Sequence, residues 1–441
     1  MSLTLSRAII STRENLIFKI KRQSQTAQPR FVGLVQQLET AFLLTGILYR
    51  TEKDIMKLEL IAAVTFGLEA PVKREIENLG YKILKSEDGK ITFLGDERAV
   101  ARANICLRCA DRVQIKMAEF EAFEFEELFQ QIKAVAWEEW IPPDGRFVVN
   151  GSSVKSKLFS VPACQSVAEK AIIEKLKETY AIDYFEKTGA LYDIKVTILK
   201  DRVTVTLDTT GPSLHKRGYR QNAVIAPIKE TLAAAMIELS FWNKDRILVD
   251  TCCGSGTIPI EAAMIGRNIA PGVSREFSAE KWEAIPKTVW KEERKKAFEA
   301  IDWETPLKIY AYDIDKRAIQ SAMDNAAEAG VLDDIKFVQA DSGKLCELSS
   351  LLPDGNEEGG IIITNPPYGE RIGDRKSIDR LYLCFNKFLR ENPTWSMFAI
   401  TSDKTIEEKV FARPADRRRK LFNGRKEVCY YQYHGQKPTK K

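Results

Sequence analysis

The stretch with the most specific chemistry is Asn365-Pro366-Pro367-Tyr368, which directly follows the apolar run 361–363. The exocyclic amine of a nucleobase is a weak nucleophile because its lone pair is delocalised into the ring. The Asn365 side-chain oxygen and the Pro366 carbonyl can accept both amine hydrogens and aim the lone pair at a methyl donor. The prolines restrain both acceptors, and Tyr368 offers a flat face on which a base can stack. These four residues are therefore predicted to be the catalytic residues of an amine methyltransferase.

A second motif has the form of a nucleotide-binding turn. The apolar run 247–249 leads into Asp250, and a glycine-rich turn follows up to residue 257. A phosphate-binding P-loop is excluded because no Gly-Lys-Ser/Thr follows, and the dinucleotide spacing fails because position 259 is proline. An acid at this strand end would repel a pyrophosphate and would attract the ammonium and sulfonium of S-adenosylmethionine. The predicted cofactor residues here are Asp250, Cys252, Gly254, Gly256 and Thr257.

Two further acids follow apolar strand patterns. Asp313, at the end of the second strand of this region, is placed to accept both ribose hydroxyls of a nucleotide, whereas Asp315 fits a helix cap. Asp341, after the third strand, is predicted either to accept the adenine amine or to cap a helix. The neighbouring residues Ile314 and Ser342 are included in the predicted cofactor site.

The elements that position these residues form an α/β pattern. From residue 218 onward, strands and helices alternate, which predicts a parallel doubly wound sheet, and Asn423-Gly424 predicts a final hairpin. Before it, a β-α-β-β-α-β order from residue 56 to 118 predicts a ferredoxin-like unit, and a second α/β segment follows. The predicted organisation has an N-terminal extension, a ferredoxin-like domain, an RNA-binding domain and a methyltransferase domain, with bounds 1–55, 56–122, 123–212 and 213–441.

Several segments resemble one bacterial family. Residues 218–435 resemble the class I S-adenosylmethionine-dependent methyltransferases, and the segments 214–220 and 226–233 look like the entry segment of the THUMP-domain RNA methyltransferases. Residues 156–160 and 165–167 resemble their THUMP domain. The resemblance covers residues 56–435 and is to 23S rRNA guanine-N2 methyltransferases. It implies S-adenosylmethionine as cofactor, ribosomal RNA as partner, and Pro227 and Glu230 closing over the methionine end of the cofactor.

Basic residues near predicted turns are candidates for phosphate contacts, which supply affinity without sequence information. Aromatic residues Phe159 and Tyr219 are interleaved with them. The predicted RNA-binding set is Lys155, Lys157, Phe159, Lys216, Arg217, Arg220 and Arg371. A further basic cluster between residues 413 and 426 fits either RNA binding or a solvated surface.

Composition limits the remaining possibilities. The 441 residues are 44% hydrophobic and carry a net charge of +5, of which residues 1–55 supply +4 through eight basic and four acidic side chains. The eight cysteines are interpreted as reduced thiols of a cytoplasmic protein without a metal site, and no apolar run near the N-terminus is long enough to span a bilayer. Residues 1–55 are interpreted either as the product of an early start, with Met56 as the natural first residue, or as a genuine helical or disordered arm.

The favoured function is methyl transfer from S-adenosylmethionine to the N2 amine of a guanine in RNA, with 23S rRNA as the preferred substrate. Three alternatives stay open at this point: an adenine-N6 methylase acting on DNA, a tRNA guanine-N2 methyltransferase, and a non-catalytic RNA-binding assembly factor. The Asn-Pro-Pro-Tyr motif does not distinguish the two base amines. A target-recognition domain after the motif would favour DNA, but only about 70 residues follow it.

Overall fold

The structure is a computed structural model that describes residues 57–220, 228–344, 359–367, 374–411, 413–424 and 426–437. The predictions made for residues 1–55, Pro227, Tyr368 and Arg371 lie outside these ranges. Within the described ranges, no helix is both long enough and apolar enough to cross a membrane.

Residues 58–208 of the described chain form eleven α-helices and strands, in the order expected from the sequence. The ferredoxin-like order comprises β1 Leu58–Ala63, α1 Glu69–Asn78, β2 Lys82–Glu87, β3 Lys90–Gly95, α2 Glu97–Cys106 and β4 Arg112–Glu121. The second group comprises α3 Phe125–Lys133, β5 Arg146–Val154, α4 Val161–Tyr180, β6 Leu191–Leu199 and β7 Arg202–Asp208.

These two groups share one seven-stranded sheet with the order β2-β3-β1-β4-β7-β6-β5. The junction is the antiparallel pair of β4 and β7, which extends from Gln114 opposite Asp208 to Glu121 opposite Arg202. Ten residues of β4 allow it to pair with β1 at one end and with β7 along most of its length. The ferredoxin-like and THUMP-like parts are therefore joined by backbone hydrogen bonds and not by a linker alone.

The helical spacing of apolar residues from Phe125 to Trp140 predicts one helix, but only its first half is an α-helix. Helix α3 ends at Lys133, and residues Trp137–Glu139 form a separate 3₁₀ turn. The Trp137 indole Nε1 donates to the carbonyl of Ile132 at 2.9 Å, and its side chain is fully buried. Burial of this indole against the end of α3 turns the chain out of the helical path.

The C-terminal half is built on a second seven-stranded sheet with the order β10-β9-β8-β11-β12-β14-β13. Its strands are β8 Leu248–Asp250, β9 Ile309–Asp313, β10 Ile335–Gln339, β11 Ile361–Thr364, β12 Ser396–Thr401, β13 Arg417–Asn423 and β14 Lys426–Tyr433. The helices are α5 Glu230–Leu239, α6 Thr257–Gly266, α7 Lys287–Glu299, α8 Lys316–Glu328 and α9 Asp374–Glu391. Strands β8 to β12 run parallel, and β14 is antiparallel to β12, which confirms the doubly wound sheet and the final hairpin.

Strand order reverses beside β8, because β9 and β10 extend to one side of it and β11 and β12 to the other. The carboxyl ends of β8 and β11 are neighbours at this point, and ligands of doubly wound sheets bind in the crevice so formed. A buried apolar cluster beneath the crevice anchors the strand ends and includes Val249, Tyr312, Ile362, Tyr382 and Met397.

The charged insertion between β8 and β9 connects the two sheets. Its Trp282 ring stacks on Tyr192 of β6 with 4.9 Å between ring centroids, and its Nε1 donates to the Leu191 carbonyl at 3.0 Å. On α7, the carboxylate of Glu293 is 3% exposed and binds Arg98 (2.7 Å) and Arg102 (2.6 Å) of α2. The charged pattern of residues 271–306 indicates an insertion, but it reveals neither the helix nor its role as an interdomain brace.

Removal of the Glu293 charge should destabilise the protein strongly. Burial raises the pKa of Glu293, but hydrogen bonds from Arg102, Arg98 and Lys296 outweigh it and lower the pKa to about 2. Glu293→Gln leaves two guanidinium groups without their buried anion, which should cost about 3 kcal/mol in the free energy of unfolding at pH 7. Denaturant unfolding of both proteins measures the loss.

The matched control is Glu292→Gln, because Glu292 is exposed and, among the described residues, pairs with Arg98 alone. We expect a change below about 1 kcal/mol for this variant. Since the folded pKa of Glu293 is lowered, its stabilisation is present above pH 4.5 and is lost as the pH falls toward about 2. Equal losses for the two variants, or a loss for Glu293→Gln that does not shrink at pH 3, would contradict the assigned role.

Candidate active site

The turn after β8 is held by the end of β9. The Cys253 backbone N–H donates to the Tyr312 carbonyl at 2.9 Å, and the Gly254 N–H donates to the Asp313 Oδ2 at 2.9 Å. Gly254 has a φ of 54°, which is a left-handed conformation that L side chains rarely adopt. The Asp313 carboxylate at the end of β9 thus helps to hold the conformation of the turn that follows β8.

Gly256 is required for close packing as well as for backbone conformation. Its φ is 84°, and a Cβ at this position would lie 2.9 Å from the Cβ of Ala322 on α8. Helix α6 begins immediately after it at Thr257, so its first backbone N–H groups face the turn. This arrangement favours a ligand carrying negative or polar groups at the start of the helix.

Asp250 lies at the centre of the site and is 1% exposed. Its Oδ1 accepts the Cys252 N–H at 3.1 Å, whereas its Oδ2 is buried and has no hydrogen-bond partner in the part of the chain that the structure describes. Burial raises the pKa of this carboxyl group to about 7. An acceptor without a partner is expensive to bury and fits a ligand that brings its own N–H donor, as the ammonium of S-adenosylmethionine would.

The carboxyl end of β11 meets this turn through two buried hydroxyls. Thr251 Oγ1 donates to Thr364 Oγ1 at 3.0 Å, and Ser342 Oγ donates to the Thr251 carbonyl. Asn365 and Pro366 follow Thr364 directly, with Asn365 half-buried and Pro366 buried. The residues predicted to bind the cofactor and those predicted to orient the amine therefore lie on adjacent strand ends.

The two other predicted acids have different surroundings. Asp313 also accepts the Asp315 N–H at 2.9 Å, and Asp315 caps α8 as expected by accepting the Arg317 N–H. Asp341 accepts the Gly343 N–H at 2.9 Å and pairs with Arg380, which is the cap-like arrangement that the sequence left open beside adenine recognition. Ile314 is 65% exposed next to Asp313.

Glu230 and Thr257 are brought together by Arg220. The Arg220 Nη2 donates to Thr257 Oγ1 at 2.8 Å and to the Ile228 carbonyl at 3.0 Å, and it lies 3.1 Å from Glu230 Oε1. Glu230, at the first position of α5, is 4% exposed, and burial raises its pKa. The Arg220 side chain is 18% exposed, so the prediction that Arg220 binds RNA from the surface does not fit its position.

The prediction that Arg217 contacts RNA was also wrong. Its guanidinium is 2% exposed, pairs with the fully buried Glu261 of α6 at 3.4 Å, and donates to the Leu214 carbonyl. Tyr219, predicted as an interleaved aromatic contact, is 4% exposed and donates its hydroxyl to the same Glu261 at 3.0 Å. Glu261 is the fifth residue of the otherwise apolar helix α6, which marks it as a buried charge but does not identify its partner.

The remaining RNA-binding candidates within the described ranges lie on the surface. Lys155 and Lys157 follow β5 and are exposed, and Phe159 is 81% exposed. The Lys157 Nζ lies 4.8 Å from the ring centroid of Phe123, an exposed aromatic residue that the sequence analysis missed. Lys216 is exposed, but no contact connects it to this basic and aromatic patch.

The turn also contains two adjacent cysteines, Cys252 and Cys253. Burial raises the pKa of the Cys252 thiol to about 12, so this thiol is protonated at neutral pH and is not a nucleophile. Across the described ranges, no three or more His, Cys, Asp or Glu side chains gather in a way that could hold a metal ion.

Three family models match successive parts of the chain. An RlmL ferredoxin-like domain matches residues 59–114, a THUMP domain matches residues 122–208, and an RMKL-like methyltransferase domain matches residues 217–432. The order of the three matched domains agrees with the structure: the first two correspond to the two groups of elements in the first sheet, and the third corresponds to the second sheet.

Two named relatives match most of the chain. It is 46% identical over 379 residues to "Putative RNA methyltransferase YpsC" of Bacillus subtilis, covering 86% of this chain and 96% of that protein. It is 32% identical to the ribosomal RNA large subunit methyltransferase K/L of Syntrophotalea carbinolica, but this match covers 83% of the chain and only 52% of that longer protein.

Solved structures agree with the fold. A structure described as a predicted N6-adenine-specific DNA methylase from Listeria monocytogenes is 44% identical, with a TM-score of 0.80, and covers 90% of this chain and 98% of its own. Another structure, "SMU.472, a putative methyltransferase complexed with SAH", is 41% identical with a TM-score of 0.79. The match covers 86% of this chain and 99% of the chain in that structure.

The sheet and its glycine turn define a class I S-adenosylmethionine-dependent methyltransferase. The chain belongs to the RMKL-like methyltransferase family, in the form that carries an RlmL ferredoxin-like domain and a THUMP domain before a single methyltransferase domain. The residues present fit the cofactor, since Asp250 Oδ2 accepts no hydrogen bond from the described residues and the space beside the Gly254 Cα is open.

The raised pKa of Asp250 predicts pH-dependent cofactor binding. An ammonium needs the ionised carboxylate, and this group loses its proton near pH 7. The affinity for S-adenosylhomocysteine should therefore fall by up to about tenfold per pH unit below 7 and stay flat above it. Isothermal titration calorimetry between pH 5.5 and 8.5 measures this profile.

Asp250→Asn is the matched variant. It should bind the cofactor more weakly with no pH dependence in this range. It should also be more stable than the wild type at pH 8, because a raised folded pKa means that ionisation of Asp250 destabilises the folded state as the pH rises toward 7. A pH-independent wild-type affinity, or an Asn variant that loses stability at pH 8, would refute the assignment.

Proposed function

We propose that the protein transfers the methyl group of S-adenosylmethionine to the exocyclic N2 amine of a guanine in RNA, and that this RNA is 23S ribosomal RNA. The observation that carries the proposal is the position of Asn365 and Pro366 at the end of β11, directly beside the strand end that bears Asp250. An amine held by these acceptors would face a cofactor bound over the Asp250–Thr257 turn.

The chemistry asks little of the protein beyond positioning. S-adenosylmethionine supplies a methyl group activated by its sulfonium, so that S-adenosylhomocysteine leaves as a neutral thioether. The Asn365 oxygen and the Pro366 carbonyl bind the amine hydrogens, and their pull strengthens as the nitrogen becomes cationic. The extra proton leaves the nitrogen after transfer, so no strong general base is needed. Tyr368 would stack against the base.

RNA as the substrate is supported by the N-terminal half. A THUMP domain match covers residues 122–208, and within it Lys155, Lys157 and Phe159 are exposed beside Phe123. Basic and aromatic side chains together can bind phosphates and stack unpaired bases. The relatives named above as an RNA methyltransferase and as a ribosomal RNA large subunit methyltransferase point to the same substrate class.

The second candidate is adenine-N6 methylation of DNA, the activity in the name of the Listeria structure. A THUMP domain is not needed to methylate duplex DNA, which favours RNA. The distinguishing experiment supplies labelled S-adenosylmethionine to the purified protein with total RNA from cells that lack it, and separately with their DNA. Nucleoside analysis should show N2-methylguanosine in 23S rRNA. Label in N6-methyladenine of DNA would refute the proposal in favour of the DNA methylase. Label in tRNA would show that tRNA, and not 23S rRNA, is the substrate.

Asn365→Ala should lower turnover by about 100- to 1000-fold, the usual loss for one preorganised polar contact in a transition state. The affinity for S-adenosylhomocysteine should stay nearly unchanged, because the acceptor acts on the amine and not on the cofactor. Single-turnover methyl transfer and calorimetry measure the two quantities.

Asn243→Ala provides the same truncation as a control, because Asn243 is exposed and precedes β8 at the amino end of the sheet. This variant should keep full turnover. Wild-type turnover in Asn365→Ala, or an equal loss in both variants, would remove Asn365 from the mechanism.

A further inference from the structure

Two buried polar atoms of opposite hydrogen-bonding type lie near the start of α6 without a partner in the described ranges. One is the acceptor Asp250 Oδ2, and the other is the donor Arg220 Nε. A buried donor or acceptor without a partner costs free energy, so such atoms are rare unless a ligand satisfies them. Both belong to residues whose neighbours line the same glycine turn.

The position of Arg220 is fixed by several contacts. Its Nη2 is shared among the Thr257 hydroxyl, the Ile228 carbonyl and the Glu230 carboxylate, at 2.8 to 3.1 Å. Thr257 is the first residue of α6, directly after Gly256 of the turn. The guanidinium is therefore held at the helix start through one nitrogen, which leaves its Nε unused.

The amino-acid end of S-adenosylmethionine matches this pair of atoms. It carries an ammonium, which is a donor, and a carboxylate, which is an acceptor, on the same carbon. A guanidinium N–H is the strongest neutral-pH donor to a carboxylate, and the backbone N–H groups at the start of a helix add to it. We propose that Arg220 binds the carboxylate of the cofactor's methionine moiety while Asp250 binds its ammonium.

The same observations argue against a role for Arg220 in RNA binding. Its side chain is 18% exposed, and the neighbouring Arg217 and Tyr219 are buried against Glu261. A phosphate contact needs a charge that faces the solvent, as Lys216 does in this segment. Arg220 instead continues a row of side chains that faces α6.

The test uses cofactor binding alone, so its outcome does not depend on which base or which RNA is methylated. Calorimetry compares S-adenosylmethionine with decarboxylated S-adenosylmethionine, which keeps the ammonium and lacks the carboxylate, on the wild type and on Arg220→Ala. The wild type should prefer the complete cofactor by roughly tenfold or more, the usual worth of a charge-assisted hydrogen bond. In Arg220→Ala this preference should fall several-fold, to the smaller value that the backbone N–H groups of α6 supply alone.

The comparison separates a direct contact from a structural effect. If Arg220 only supports the fold of the turn, its loss weakens both ligands equally and the preference stays at its wild-type value, which would overturn the proposal. Arg220→Gln provides a second variant that keeps a side-chain donor and should retain part of the preference. Thermal unfolding without ligand identifies which variant is folded under the conditions of the titration.

Lys216→Ala is the matched control. We expect it to leave the preference between the two cofactors unchanged. A loss of RNA affinity with a shallower salt dependence in Arg220→Ala, together with an unchanged cofactor preference, would place Arg220 on the RNA and overturn the proposal.

Discussion

The burial of the Asp250 carboxylate is the constraint on which the site depends. A carboxyl group that is 1% exposed and has one oxygen without a partner in the described ranges destabilises the folded chain, as its raised pKa shows. The surrounding structure must compensate for this cost. The apolar strand ends, the glycine turn tied to Asp313 and the Thr251–Thr364 hydroxyl pair fix the carboxylate where a cationic ligand would relieve the cost. The buried Asp250 carboxylate thus lowers the stability of the ligand-free protein and would raise its affinity for a cationic ligand.

The second requirement is a fixed relation between the N-terminal half and this site. Three buried connections provide it: the Glu293 brace between α7 and α2, the Trp282–Tyr192 stack, and the Arg217–Glu261 pair that ties the chain entering the second sheet to α6. Each has a buried member, namely the Glu293 carboxylate, the Trp282 ring and the Arg217–Glu261 pair, and an exposed linker would not fix distance in this way. These three contacts would hold an RNA bound by the THUMP domain at a set distance from the methyl donor. They would thereby contribute to the choice of the nucleotide that is methylated.

The sequence predicted the parts of this protein that local patterns determine. Asp250, Gly254 and Asp313 could be found because parallel strands place their carboxyl ends at one edge, and the hairpin at Asn423-Gly424 follows from its turn residues. Local sequence patterns could not predict which charged residues are buried. Arg217 was taken for a surface contact because no local pattern reveals its partner Glu261, which lies 44 positions away. For the same reason, the α2–α7 brace and the β4–β7 junction were not foreseen, since both join segments distant in sequence.

The position of the target amine beside Asn365 and Pro366 is tested most directly by a crystal structure of the protein with S-adenosylhomocysteine and an RNA that contains the target nucleotide. We expect a guanine to leave the RNA stack and its N2 to lie within about 3–3.5 Å of the Asn365 Oδ1 and the Pro366 carbonyl, on the line toward the cofactor sulfur. The cofactor should lie over the turn between Asp250 and Thr257. A base bound away from the end of β11, or an adenine whose N6 occupies this position, would contradict the account.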